Sequence, residues 1–154
     1  MYIVDPSVED LKNPNFEFIL QKWHEIKARG RFPAKADFPP QEMVSLLPRI
    51  MLFDIVHPEN EPEPIFKFRL VGTAICQAIG FDPTGKFLTD IPFDPETADR
   101  MKACIETKKP YAKFKSDTEL TDNSYKDYDG LGVPLSSDGE TIDHFLYIFH
   151  MQRF

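Results

Sequence analysis

The chain has little cysteine. Cys76 and Cys104 are the only two among 154 residues. Two distant thiols do not make a disulfide framework in a chain of this length, so buried thiols in a reducing compartment are expected. Dense Lys/Arg runs are also missing. Eighteen basic against 25 acidic residues leave a net charge of −7, which argues against nucleic acid and against an anionic membrane surface as partners. No apolar run approaches the ~20 residues that span a bilayer. Met1 to Ser7 is too short and too polar for a signal peptide, so the expected location is cytoplasmic.

The motifs of common chemistries are absent as well. There is no G-x-S-x-G nucleophile turn. Gly72, Gly80 and Gly85 sit at turns and form no phosphate loop. His24, His57, His144 and His150 show no metal-ligand spacing. Tyr125 to Gly130 ends like a calcium loop, but its first position is Tyr125 and its twelfth is Ser136, where a Glu is needed. No catalytic residue and no metal ligand is assigned.

What is present is apolar and aromatic. Hydrophobic residues make up 42%, with fourteen Phe, enough for one folded domain with a sizeable core. Residues 1–15 carry Asp5–Pro6 and Asn13–Pro14 and read as an extended arm. Residues 16–154 read as one domain with its own cap helix. In that helix Asn15 is the expected N-cap. Phe16, Ile19, Leu20, Trp23 and Ile26 recur at helical spacing, and Gly30 stops the run. This stripe needs a cover, either the sheet or the same helix of a partner copy. A Pro-rich connector follows, then a short helix in QEMVSLL ended by Pro48.

Ile50–Val56 is a strand apolar on both sides, and His57–Pro64 is a polar loop. In Ile65–Val71, Phe66, Phe68 and Leu70 are expected to point one way, with Lys67, Arg69 and Val71 the other. A helix over Thr73–Ile79, a turn at Asp82–Gly85 and a helical turn around Leu88 come next. Asp94 and Pro95 open a helix carrying Ala98, Met101, Cys104 and Ile105, which ends at Lys108–Pro110. Three strands remain: Tyr111–Leu120, Tyr125–Leu135 and Thr141–Met151, with Asp138–Gly139 marking the last hairpin. Phe145, Tyr147, Phe149 and Met151 alternate with Ile142, Leu146 and Ile148, so the last strand is central and covered on both faces. The fold class is α+β: a five-stranded antiparallel sheet with short helices on one face and the N-terminal helix on the other.

FRLVGTAI, then GFDPTGKFLTDI, then the GVPLSSDG hairpin with its apolar final strand, together resemble a PAS domain. Trp23 with RGRFP at 29–33 ahead of this FRxxGT…GxDxTG core resembles a bacterial single-domain PAS subfamily. The resemblance covers about residues 16–151. It implies a sensory or signalling module that binds a small, mainly apolar ligand between sheet and inner helices, or that dimerises. Lining residues would be Phe68, Ile75, Ile79, Phe87 and Met101, together with Ile105, Phe114, Tyr128 and Leu146. Phe16, Ile19, Leu20 and Trp23 would form a homodimer interface, with a separate effector protein as a further partner. Flavin and haem are not supported: the Asn-Cys pair of flavin photosensors is missing, and residues 95–109 hold no His.

Arg69 is the polar residue expected to matter. On a covered strand its guanidinium needs a partner, with Asp82, Asp90 or a ligand carboxylate as candidates. Two further readings stay open. One is a pure interaction module whose core is filled by its own side chains. The other is a small enzyme with a cone-like cavity, which would need a perturbed Asp or His inside.

Overall fold

The computed structural model of the chain describes residues 1–91, 96–117 and 125–153. Its six strands are β1 (Tyr2–Val4), β2 (Ile50–Val56), β3 (Ile65–Val71), β4 (Tyr111–Asp117), β5 (Tyr125–Leu135) and β6 (His144–Arg153). They form one antiparallel sheet in the order β1-β4-β5-β6-β2-β3. The helices are α1 (Pro14–Ala28), α2 (Thr73–Ile79) and α3 (Thr97–Thr107), joined by short 3-10 turns.

The sheet has one strand more than the five expected. The N-terminal arm supplies it: Tyr2–Val4 pairs with Tyr111–Lys113 along the free edge of β4. Met1 and Phe114 exchange bonds through the terminal amine and backbone, and the Asp5 amide donates to the Pro110 carbonyl at 2.8 Å. Three residues are too few to show a period in sequence, and their exposed edge position left no apolar alternation to read. The opposite edge is covered too. The Phe68 amide donates to the Lys86 carbonyl, and the Gly85 amide to the Phe68 carbonyl, so the segment at 85–87 lies along β3.

Helix α1 starts two residues earlier than expected. Asn13, not Asn15, is its cap: its side-chain oxygen accepts from the amides of Asn15 and Phe16, and Pro14 fills the first position, where no amide is needed. The segment expected as a helix in QEMVSLL is instead two 3-10 turns, Pro40–Glu42 and Leu47–Arg49. Prolines on both sides leave too little length to nucleate an α-helix. Helix α3 is described from Thr97; the expected cap at Asp94 and Pro95 lies outside the described residues. So do residues 118–120 of the strand expected over Tyr111–Leu120. The last strand begins at His144 rather than Thr141, because residues 136–143 form a wider loop. There the Asp138 carboxylate accepts from the amides of Glu140 and Thr141, and the Ser136 hydroxyl donates to the Thr141 carbonyl.

The two faces differ. On the inner face, toward α2 and α3, stand Met51, Phe53, Phe66, Phe68, Tyr111, Tyr128, Phe145, Tyr147 and Phe149. Each is buried, and each is assigned to this face by cross-strand register. On the outer face, Ile50, Leu52, Leu131, Val133, Leu135, Leu146 and Ile148 meet α1 and the connector. Trp23 ties the helix down, its indole N–H donating to the Pro134 carbonyl at 2.8 Å. Each buried aliphatic side chain of this layer contributes roughly 1.5–3 kcal/mol.

A bulge interrupts the alternation expected in β3. Phe53 faces Phe68, but the next partner pair is Leu52 with Leu70. Arg69 is the extra residue, and Leu70 therefore turns to the outer face, opposite to Phe66 and Phe68.

Gly72 shows why strand β3 can turn directly into α2. A Cβ there would lie 2.3 Å from both the Leu47 and Pro48 carbonyl oxygens. Only a residue without a side chain allows the two backbones this close. Replacing Gly72 by Ala is expected to destabilise the protein by roughly 1–3 kcal/mol, because main chain must move to make room. The exposed Gln77→Ala in the same helix serves as the control in chemical denaturation. Equal midpoints for the two variants would contradict this packing.

Candidate functional site

The inner face is the place where sheet and helices enclose side chains of mixed chemistry, and its centre is filled by rings. Tyr111 stacks on Phe145 with centroids 5.7 Å apart, Phe53 meets Phe68 at 4.7 Å, and Tyr147 meets Phe149 at 4.4 Å. Gly130 and Gly132 on β5 make this possible. A Cβ at Gly130 would fall 2.4 Å from the Tyr147 ring, and one at Gly132 would fall 2.3 Å from Phe145.

Polar atoms sit within this aromatic layer. Lys113 is 1% exposed; its Nζ donates to the Tyr128 hydroxyl at 2.7 Å and stands 5.0 Å from the centroid of that ring. A lysine is almost never this buried unless it is paired. The Tyr111 hydroxyl is fully buried and finds no hydrogen-bond partner among the described residues. Burial first, and the neighbouring Tyr147 second, push its pKa well above the ordinary tyrosine value. In sequence, YAKFK looks like a strand with a solvated face, which conceals the burial of Lys113. The two-residue step from Tyr111 to Lys113, opposite the Gly130 and Gly132 pair, was the available signal.

Open space lies beside this layer. A cleft of about 410 Å³ runs between β3, the 3-10 turn Leu88–Asp90 and α3. Its walls are Phe66, Phe87, Leu88, Ile91 and Ala98, and its mouth carries Lys102 and Glu63, paired at 2.6 Å. The backbone bonds of residues 85–87 to β3 fix Phe87 at this position, where it remains 40% exposed.

The residues singled out in sequence divide between several places. Phe68, Met101 and Tyr128 are buried in the inner layer, Ile79 is buried on α2, and Phe87 lines the cleft. Ile75 borders a smaller hollow of about 130 Å³ with Phe149 and Met151. Ile105 and Phe114 are half-buried against the core. Leu146 is not among them. It belongs to the outer face, between Phe145 and Tyr147 of the inner one, and borders a different cavity. Arg69 is not buried either. Its side chain is 50% exposed and pairs with Asp54 at 3.3 Å, while Asp82 is occupied by its own turn, accepting from the Thr84 amide and hydroxyl. His144 approaches the same Asp54 at 3.1 Å. Phe16, Ile19, Leu20 and Trp23, expected at a dimer interface, lie in the protomer's own core at 3% exposure or less. Of the two covers open to that stripe, the outer face of the sheet takes it.

Among the described residues, no three His, Cys, Asp or Glu side chains are placed to hold a metal ion, and no helix is long and apolar enough to cross a membrane. Both cysteines are free. Cys104 is buried with its thiol directed at the Lys109 carbonyl, 2.9 Å away, and burial pushes its pKa far above the ordinary thiol value. Cys76 is half-buried and raised less, by burial and then by Asp82. A raised pKa leaves little thiolate near neutral pH. Ellman's reagent at pH 8 should therefore label Cys76 slowly and Cys104 only on unfolding. Cys76→Ser should remove the native phase; fast labelling of Cys104 in the folded protein would contradict the packing of α3.

Comparison with curated proteins and with solved structures finds no match. A family model described as the PAS domain matches residues 11–146, most of the chain. The match runs from just before α1 to the third residue of β6, leaving β1 outside it. With the antiparallel sheet and inner helices that it covers, the chain belongs to the PAS domain family, a family of sensory, signalling and interaction modules.

Proposed function

We propose that this chain is a sensor whose inner-face cleft takes a small, mainly apolar ligand. The observation that carries the reading is Phe87, a large ring left 40% exposed over an apolar cleft of about 410 Å³. Ligand sites are mostly apolar with a few polar groups that set orientation. Here Phe66, Phe87, Leu88 and Ile91 supply the apolar part, and the Lys102–Glu63 pair supplies polar groups at the mouth. Binding would fix the 85–91 segment against α3, and a separate effector protein would read that change. Native mass spectrometry of the purified protein tests this. A bound small molecule is expected, and Ala98→Trp, which fills the cleft, should abolish it. If no mass is added and a metabolite screen raises no melting temperature, the ligand reading fails.

A second reading, an interaction module acting as a homodimer, rests on Phe18. This residue is 43% exposed on α1, on the side away from the buried stripe. It borders a broad groove of about 820 Å³ with Lys22, Glu25 and Glu42. A dimer through α1 would have to use this outward side, since the stripe is already covered. Light scattering should then show a dimer that Phe18→Glu converts to monomer. A monomer at high concentration in the unsubstituted protein would remove this reading.

A further inference from the structure

We infer that the outer face carries a second ligand site, for a monocarboxylate on an alkyl chain of about eight carbons. A cavity of about 240 Å³ separates the sheet from the connector. Leu52, Leu70 and Leu146 form its floor, Phe38 and Met43 lie on the connector side, and Lys35 is the only lining residue with a polar side chain. The cavity borders the bulge in β3, which turns Leu70 to this face, while the connector above it carries the separate 3-10 turns Lys35–Asp37 and Pro40–Glu42 rather than a continuous helix.

The chemistry of the lining selects the ligand. Every wall except Lys35 is apolar, so the body of the ligand is hydrocarbon. An apolar cavity of about 150 Å³ holds benzene, so about 240 Å³ has room for roughly eight to ten carbons. Leu52 and Leu70 remain only half-buried here, although Ile50 and Leu135 beside them are 1% and 0% exposed. An alkyl chain would complete their cover. Lys35 has no ion-pair partner among the described residues. The nearest acid on its own turn, Asp37, is held by Arg31 through two bonds of 2.7 and 2.8 Å and accepts a third from the Ala34 amide. Lys22, which stands over the Phe38 ring at 5.4 Å, is paired with Glu42. The one ionisable residue of the lining is therefore a lysine without an ion-pair partner among the described residues, which an anionic head group reaching out of the cavity would complement.

Calorimetric titration with sodium octanoate, with octylammonium chloride as its charge-reversed counterpart, tests the site. Octanoate is expected to bind at least about tenfold more tightly, the size of one charge-assisted contact. Lys35→Glu, a change at a solvent-reached position, should reverse that order. Leu70→Trp should abolish octanoate binding by filling the cavity, while Ala98→Trp, in the inner cleft, should leave it unchanged. Equal binding of the two ions overturns the assignment of Lys35. Failure of millimolar octanoate to bind overturns the site, as does loss on Ala98→Trp together with retention on Lys35→Glu.

Discussion

Everything in this fold depends on a strand that is apolar on both sides. In β6, Phe145, Tyr147 and Phe149 point inward, Leu146 and Ile148 outward, and none is more than 2% exposed. Such a strand cannot sit at a solvated face, so the chain must provide two covers. It provides them from opposite ends of its length. Helices α2 and α3 come from the middle, and α1 comes from the start. The Trp23 bond to Pro134 joins residues 111 positions apart. That separation makes the outer cover a non-local contact, whose formation must overcome the entropy of closing the intervening chain.

The two covers are made of different materials, and that difference places the open spaces. Rings are large and rigid, and on the inner face they fill the centre against one another, with Gly130 and Gly132 leaving the necessary room. The larger space is left at the margin, where the segment at 85–87 closes the β3 edge and holds Phe87 out over the cleft. The outer face is aliphatic, and its connector is cut by prolines into short turns that cannot follow the sheet closely. The gap there is smaller and almost wholly apolar. Lys113 is the exception to the pattern, a charged side chain held within the aromatic layer by the Tyr128 hydroxyl and ring.

Much of this was legible because strong periodicity survives tertiary context. Strands β2 and β3 and helix α2 fall where alternation and helical spacing put them, and the two-sided pattern of β6 correctly demanded a cover on each face. What could not be read was local geometry that obeys no period. The bulge at Arg69 sends Leu70 to the face opposite its alternation partners and brings Arg69 to Asp54 instead of Asp82. Leu146 alternates with Phe145 and Tyr147 and so lies on the outer face, away from the other expected lining residues. The strand Tyr2–Val4 leaves no signal because three half-exposed residues at an edge have none to leave. Burial of Lys113 was hidden by its charge, which in a strand ordinarily marks the wet side.

Whether the inner-face cleft beside Phe87 takes a ligand, as proposed, or is a packing fault is decided most directly by methyl-resolved NMR of Ile- and Leu-labelled protein titrated with 2-naphthol as a small apolar probe. Saturable shifts confined to Ile65, Leu88 and Ile91, the isoleucines and leucine that line the cleft, are the predicted result. No saturable shift, or shifts spread across the outer-face leucines with the cleft methyls unmoved, would contradict it.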